Sequence, residues 1–171
     1  MPIRPATSAD LAEIQAIYAH HVLHGTGTFE DAPPSVEEVT ARFAAATEAG
    51  GRAGWLVATD ATGVQGYVIY AKYRDSSGYR FCAEDGVYVR DDVRGQGLGK
   101  TLVAAAIEAA AAAGYSQMIA VIGDQANAGS IGLHASLGFR QVGLLRGVGF
   151  KFGRWLDVVL MQRALADGTE R

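Results

Sequence analysis

Residues 94 to 99 read Arg-Gly-Gln-Gly-Leu-Gly, between an alternating run, Val87-Tyr88-Val89, and an alanine-rich run, Lys100–Ala113. The alternation predicts a strand and the alanine-rich run predicts a helix. A strand must therefore turn directly into a helix through three glycines. Such a turn leaves the first N–H groups of the helix unpaired at the positive end of its dipole. Glycines let a ligand approach that backbone closely. Phosphate is the ligand this geometry suits. Arg94, Gly95, Gln96, Gly97, Leu98, Gly99 and Lys100 are thus expected to hold a phosphate-bearing cofactor.

Spacing separates three kinds of phosphate loop. A P-loop needs glycine five residues ahead of Gly99-Lys100-Thr101, where the chain has Arg94. A dinucleotide fingerprint needs a third glycine where the chain has Lys100. A third pattern is met in full: Gln or Arg, two residues, Gly, one residue, then Gly or Ala, here Arg94, Gly97 and Gly99. Further motifs accompany it: Ala83-Glu84-Asp85-Gly86-Val87-Tyr88-Val89, Ile119–Ile122, Asn127, Ser130 and His134 at helical spacing, and Lys151–Asp157. In this order they resemble the GNAT superfamily of N-acetyltransferases. Within it, the chain is similar to the phosphinothricin and methionine sulfoximine (or methionine sulfone) acetyltransferase branch, from about Ile3 to Leu165.

Composition agrees with an ordinary folded domain. The 171 residues are 49% hydrophobic and 19% charged, enough for one core and one domain, 1–171. A net charge of −3 argues against nucleic acid as a partner, although Arg74, Arg80, Arg90 and Arg94 can make a local basic pocket. One cysteine, Cys82, excludes an internal disulfide and suits a reducing cytoplasm. Neither a leader-like start nor a bilayer-length apolar run is apparent, so no membrane role is expected.

The predicted elements run β-αα-βββ-α-β-α-ββ: strand Ile3–Ala6, a helix from Thr7 to Leu23, a loop over His24–Pro34, and a helix from Ser35 to Ala49. Strands follow at Trp55–Thr59, Val64–Lys72 and Arg80–Val89, then the loop and helix described above. Strand Gln117–Ile122, helix Asn127–Leu137 and strands near Arg140–Leu145 and Leu156–Arg163 complete the chain. This is a mixed α/β layer, not regular alternation. The resemblance implies the GNAT fold, a central splayed sheet flanked by helices, with acetyl-CoA as co-substrate entering between the strands at Arg80–Val89 and Gln117–Ile122. Val87, Tyr88 and Val89 would offer backbone groups to its pantetheine arm, since an unpaired strand edge can take a substitute strand.

Acetylating an amine requires a neutral nitrogen, so a carboxylate must stand near it. Glu84 matches the family's catalytic glutamate, and Asp85, on the opposite face of a regular strand, is the weaker candidate. Asn127, Ser130 and His134 share one helix face. His134 is expected beside the coenzyme A sulfur as a proton donor, with a packed, hydrogen-bonded histidine as the alternative. Asn127 and Ser130 would touch the pantetheine, Asn127 also capping its helix. By resemblance, Phe29, Glu30, Tyr73, Arg74, Asp75, Arg80, Glu84 and Asp85 line the site of a small amine substrate. Arginine forks suit an α-carboxylate. Lys151–Asp157, with Trp155, reads as a homodimer contact or site wall. His20 and His24 lack the partners of a metal site, and no metal is expected.

Overall fold

The alternating residues of two neighbouring strands, β3 (Gly63–Lys72) and β4 (Cys82–Val89), divide the molecule into two apolar layers. Val68, Tyr70, Ala83, Val87 and Val89 face one side and pack with α3 (Leu98–Ala112). Tyr67, Ile69 and Tyr88 face the other and pack with α1 (Leu11–His24) and α2 (Val36–Glu48). The structure is a computed structural model and describes residues 1–165.

The helices follow from their sequences. α1 buries Leu11, Ile14 and Ile17, one stripe at helical spacing. Ser35 caps α2: its Oγ accepts from the Glu38 N–H at 3.1 Å, and Glu38 returns a bond to the Ser35 N–H at 2.7 Å. α3 buries Leu98, Leu102, Val103, Ala106, Ile107 and Ala110. Each large aliphatic side chain so buried contributes about 1.5–3 kcal/mol, and the alanines allow close packing on the sheet.

β1 (Ile3–Pro5), β2 (Gly54–Asp60), β3, β4, β5 (Gln117–Gly123), β7 (Arg154–Ala164) and β6 (Arg140–Lys151) form one sheet in that spatial order. The β4–β5 pair is parallel and the others are antiparallel. The expected element order and mixed sheet are what the chain adopts. Boundaries differ for physical reasons. α3 begins at Leu98 because Gly97 acts as its N-cap. Arg80 and Phe81 precede β4, following a 3-10 turn at Ser77–Tyr79. β6 continues past Leu145 to Lys151, because the glycine-rich stretch there shifts the pairing register between Leu145 and Gly149 instead of ending the strand. Phe152 and Gly153, both at positive φ, make the tight turn into β7.

One irregularity opens the sheet. β4 and β5 pair only from Cys82 with Gln117 to Asp85 with Ala120. Beyond that, Gly66 to Ile69 of β3 still hold Gly86–Val89, while Val158 to Leu160 of β7 hold Val121–Gly123. Two strands that are each bound on their far side part in the middle.

Candidate active site

The gap between β4 and β5 is a cavity of about 650 Å³. Gly86–Val89 form one wall, Ala120–Gly123 the other, and the glycine loop with the start of α3 closes one end. Gly95 and Gly97 have φ of 74° and 79°, the left-handed region that glycine enters without strain. No side chain caps α3. Its first N–H groups therefore remain available to an anion where the helix meets the cavity. Lys100 and Arg94 line the same end.

α4 (Ala128–Ser136) lines the same cavity, with Leu133 against Gly99 at the start of α3. Asn127 caps it, its Oδ1 accepting from the Ser130 N–H at 3.2 Å. One turn later His134 is 3% exposed. Its Nδ1 lies 2.8 Å from the Ser130 carbonyl oxygen, and its Nε2 lies 2.9 Å from Asp85 Oδ2. Phe139 meets the ring edge-on at 5.0 Å between centroids. Burial by itself would lower the imidazole pKa, but the hydrogen bond and charge of Asp85, aided by the Ser130 carbonyl, outweigh it and raise the value. Asp85, expected as a lesser acceptor-site carboxylate, is buried on the α3 side of the sheet in contact with His134.

Glu84 points the other way, as regular strand geometry requires. It is 34% exposed, with Arg74 Nη1 3.7 Å from its Oε2. Burial raises its pKa, Arg74 opposes that, and the neighbouring charge of Asp85 adds to it. Arg74 also lies over the Tyr73 ring at 4.2 Å, and Tyr73 meets Tyr79 edge-on. Tyr73, Arg74 and Glu84 thus form one cluster. Arg80 does not join it: its guanidinium donates to Ser77 O and sits over Phe81. The Asp75 carbonyl accepts from Lys72 Nζ at 2.6 Å.

The loop between α1 and α2 crosses the far end of β5. Thr26 Oγ1 donates to Asp124 Oδ2 at 2.6 Å, and Lys151 Nζ donates to Thr28 O at 2.8 Å. The Phe29 ring lies against two glycines: a Cβ at Gly149 would come within 2.3 Å of it and one at Gly123 within 2.9 Å. Glu30 is held by Arg42 at 2.8 Å and by Tyr18. That engagement directs Glu30 to the loop's own support.

Among the cavity residues that the sequence reading did not assign to the site are His21 and Asp124. His21 lines the cavity, donating from Nε2 to Val89 O at 2.8 Å while its Nδ1 faces an Arg94 N–H at 3.3 Å. Burial chiefly lowers its pKa. Its signal was position: His21 continues the stripe of Ile14 and Ile17 on α1. Asp124, at φ 72°, anchors Thr26, the Ala126 N–H and Arg154 at the end of β5. Tyr88 also lines the cavity, but its ring is stacked on Tyr67 at 5.3 Å and packed against Tyr18. The backbone of Tyr88 faces its partner strand β3, so the alternate residues Val87 and Val89 present their backbone groups to the gap.

A strand edge left free beside an uncapped helix start is a feature to test against known families. Residues 3–160 match the family model described as acetyltransferase (GNAT) domain. The chain belongs to the GNAT acetyltransferases. It is 47% identical to phosphinothricin N-acetyltransferase of Alcaligenes faecalis, over 97% of this chain and 83% of that one. It is 46% identical to the L-methionine sulfoximine/L-methionine sulfone acetyltransferase of Pseudomonas paraeruginosa, over 94% and 92% of the two. A GNAT superfamily phosphinothricin acetyltransferase from Sinorhizobium meliloti, solved in complex with AcCoA, superposes with a TM-score of 0.93 at 43% identity. The match covers 98% of this chain and 90% of that one. As a GNAT enzyme the chain is an N-acetyltransferase, and the parted strands and glycine loop are the parts of the fold that bear on its donor.

Proposed function

We propose that the protein transfers acetyl from acetyl-CoA to the α-amine of a small amino-acid-like compound, of the phosphinothricin, methionine sulfoximine or methionine sulfone kind. The observation that carries this is the parting of β4 and β5 after Asp85 and Ala120, with α3 starting uncapped beside it. The cavity volume, free strand edge and bare helix N-terminus fit a pantetheine arm followed by a pyrophosphate. Gly95–Lys100 and Arg94 would hold the pyrophosphate, and Val87 and Val89 with Asn127 and Ser130 the pantetheine. Among the described residues no group of His, Cys, Asp and Glu side chains is arranged to hold a metal.

Glu84 is the general base. Burial raises its pKa, which makes it a stronger base than a free carboxylate. Arg74, beside Glu84, and Tyr73 would orient the substrate carboxylate, and Phe29 would wall the acceptor side. N–H groups of the β4 edge would stabilise the developing oxyanion, and His134 would protonate the departing sulfur. Transfer would be direct, without an acyl-enzyme: burial raises the Cys82 thiol pKa, the opposite of what a nucleophile needs.

The β6–β7 hairpin supports a homodimer. Val148, Phe150, Phe152 and Trp155 are exposed there together, Trp155 to 71%. A location in the cytoplasm fits an unpaired cysteine and an acetyl-CoA supply. No helix among the described residues is long and apolar enough to cross a membrane.

Release of coenzyme A, followed with a thiol reagent across methionine sulfoximine, phosphinothricin, methionine sulfone, spermidine and a short peptide, tests the reading. Fast turnover on the first three is expected. Turnover on spermidine or peptide alone would overturn the substrate. Tight acetyl-CoA binding with no turnover on any amine would favour a silent binding module.

A further inference from the structure

Asp85 and His134 raise a question the assigned roles leave open. Asp85 Oδ2 meets His134 Nε2 at 2.9 Å, and both side chains are buried, 0% and 3% exposed. The pair sits at the last rung of the β4–β5 ladder, where the strands part, and both residues line the cavity. The Ser130 carbonyl oxygen can only accept, so Nδ1 must carry a hydrogen. The Nε2–Oδ2 contact requires one further proton. Asp85 Oδ1, by contrast, is buried with no partner among the described residues.

A carboxylate placed here for packing alone is hard to justify. Buried ion pairs are commonly no more stable than apolar groups of the same shape, and an unpartnered buried oxygen adds a cost. The pair has a use if its proton has a use. The groups shown against the imidazole are Asp85 from β4, Ser130 from its own helix and Phe139 just after it. Of these only Asp85 bears an acidic side chain, and the charge of Asp85 also acts on Glu84, the next carboxylate along β4.

We propose that Asp85 is a positioning residue that keeps both nitrogens of His134 protonated, so that the pair stores one proton at the floor of the gap for the departing coenzyme A sulfur. This rests on the acetyl-transfer reading given above. In the step, the amine nitrogen bonds to the acetyl carbon and the carbon–sulfur bond breaks, its electron pair staying on sulfur. The Nε2 proton passes to that sulfur, directly or through one water, giving the free thiol and a neutral imidazole beside the Asp85 carboxylate. The nitrogen loses its surplus proton to Glu84. Solvent then reprotonates His134 and deprotonates Glu84, so a neutral amine and the thioester give amide and thiol with no net proton. Without Asp85, Nδ1 would still be held by Ser130, and Nε2 would be bare at neutral pH and unable to donate.

Asp85→Asn tests this, because asparagine keeps the shape and can donate to Nε2 but holds no exchangeable charge. The ring nitrogens of His134 in the free protein are followed by 15N NMR from pH 5 to 9, in wild type and variant. Wild type is expected to show both nitrogens protonated at pH 7, and the variant a single one. In the same variant kcat is expected to fall roughly 100-fold, the scale of a lost general acid, with acetyl-CoA Kd within about threefold. A bare Nε2 in wild type at pH 7 would overturn the proposal, and this holds even if the variant does not fold. Identical titration in the two proteins, or unchanged kcat in a folded variant, would also overturn it. The NMR readout needs no substrate. If wild type acetylates none of the amines, the acetyl-transfer reading fails separately from the protonation result.

Discussion

Glu84 and Asp85 are adjacent on β4 and serve opposite faces of the sheet, Glu84 meeting Arg74 and Asp85 meeting His134. One peptide bond thus separates the carboxylate proposed as the base from the one proposed to hold the donor-side proton. Glu84→Gln is expected to lower kcat at pH 7 by on the order of 100-fold, the usual worth of a general base, while acetyl-CoA binding measured by calorimetry stays unchanged.

Glu84 also predicts a pH effect on stability. Its pKa is raised in the folded protein, so the folded state holds this proton more tightly than the unfolded chain. The cost of ionising it is absent below the unfolded pKa and complete above the folded one. Glu84→Gln should therefore unfold at an equal or higher temperature than wild type at neutral pH, and the difference should vanish in acid. A lower melting temperature at pH 7 would argue that the Arg74 contact outweighs burial.

Gly97 holds the turn into α3 at φ 79°. Gly97→Ala forces a side chain into the left-handed region, which costs about 1–2 kcal/mol. Calorimetry should register a loss of several degrees in Tm, and acetyl-CoA affinity should drop with it as the loop relaxes. Unchanged affinity with lowered Tm would separate the turn from pyrophosphate binding.

Gly149 gives Phe29 its place: a Cβ there would lie 2.3 Å from the ring. Gly149→Ala must displace the ring, an overpacking of about 1–3 kcal/mol. If Phe29 walls the acceptor site, the KM for the amine should rise about tenfold or more with acetyl-CoA Kd unaltered. Steady-state kinetics with each substrate varied in turn decides it.

Trp155, exposed on the hairpin with Phe150 packed edge-on against it at 5.0 Å, is the residue to change for assembly. Sedimentation of wild type should give a dimer and Trp155→Glu a monomer. A wild-type monomer would remove the hairpin's proposed role.

The elements were legible because each rests on local rules. Ser35 with Glu38 marked the start of α2, the stripe Leu11, Ile14, Ile17 marked α1, and the glycine run marked the turn into α3. Residues 146–149 misled at β6, since glycines that normally end a strand here form an irregularity within one. Glu84, His134 and the loop were singled out by resemblance to a family, not by periodicity. The sequence could not give the meeting of Asp85 with His134, 49 positions apart, or of His21 with Val89, 68 apart. Periodicity tells which face a residue occupies. Which helix covers that face, and how far along, is decided by tertiary packing.

On the proposed reading, β4 acts as a ruler between the two substrates. Its pleat sets their separation at about 3.3 Å per residue, and no hinge or loop lies between Glu84 and the free edge at Val87. The segments around residues 24–34 and 73–81, by contrast, are attached to the sheet at their ends and by a few side chains. Of the two, 73–81 lies outside the cavity lining, whereas Gly25, Thr26 and Gly27 border it. On the proposed reading, the acceptor-side segment 73–81 is thus separable from the stretch that seats the donor. Selection, or an engineer, can alter the first while inheriting the second intact.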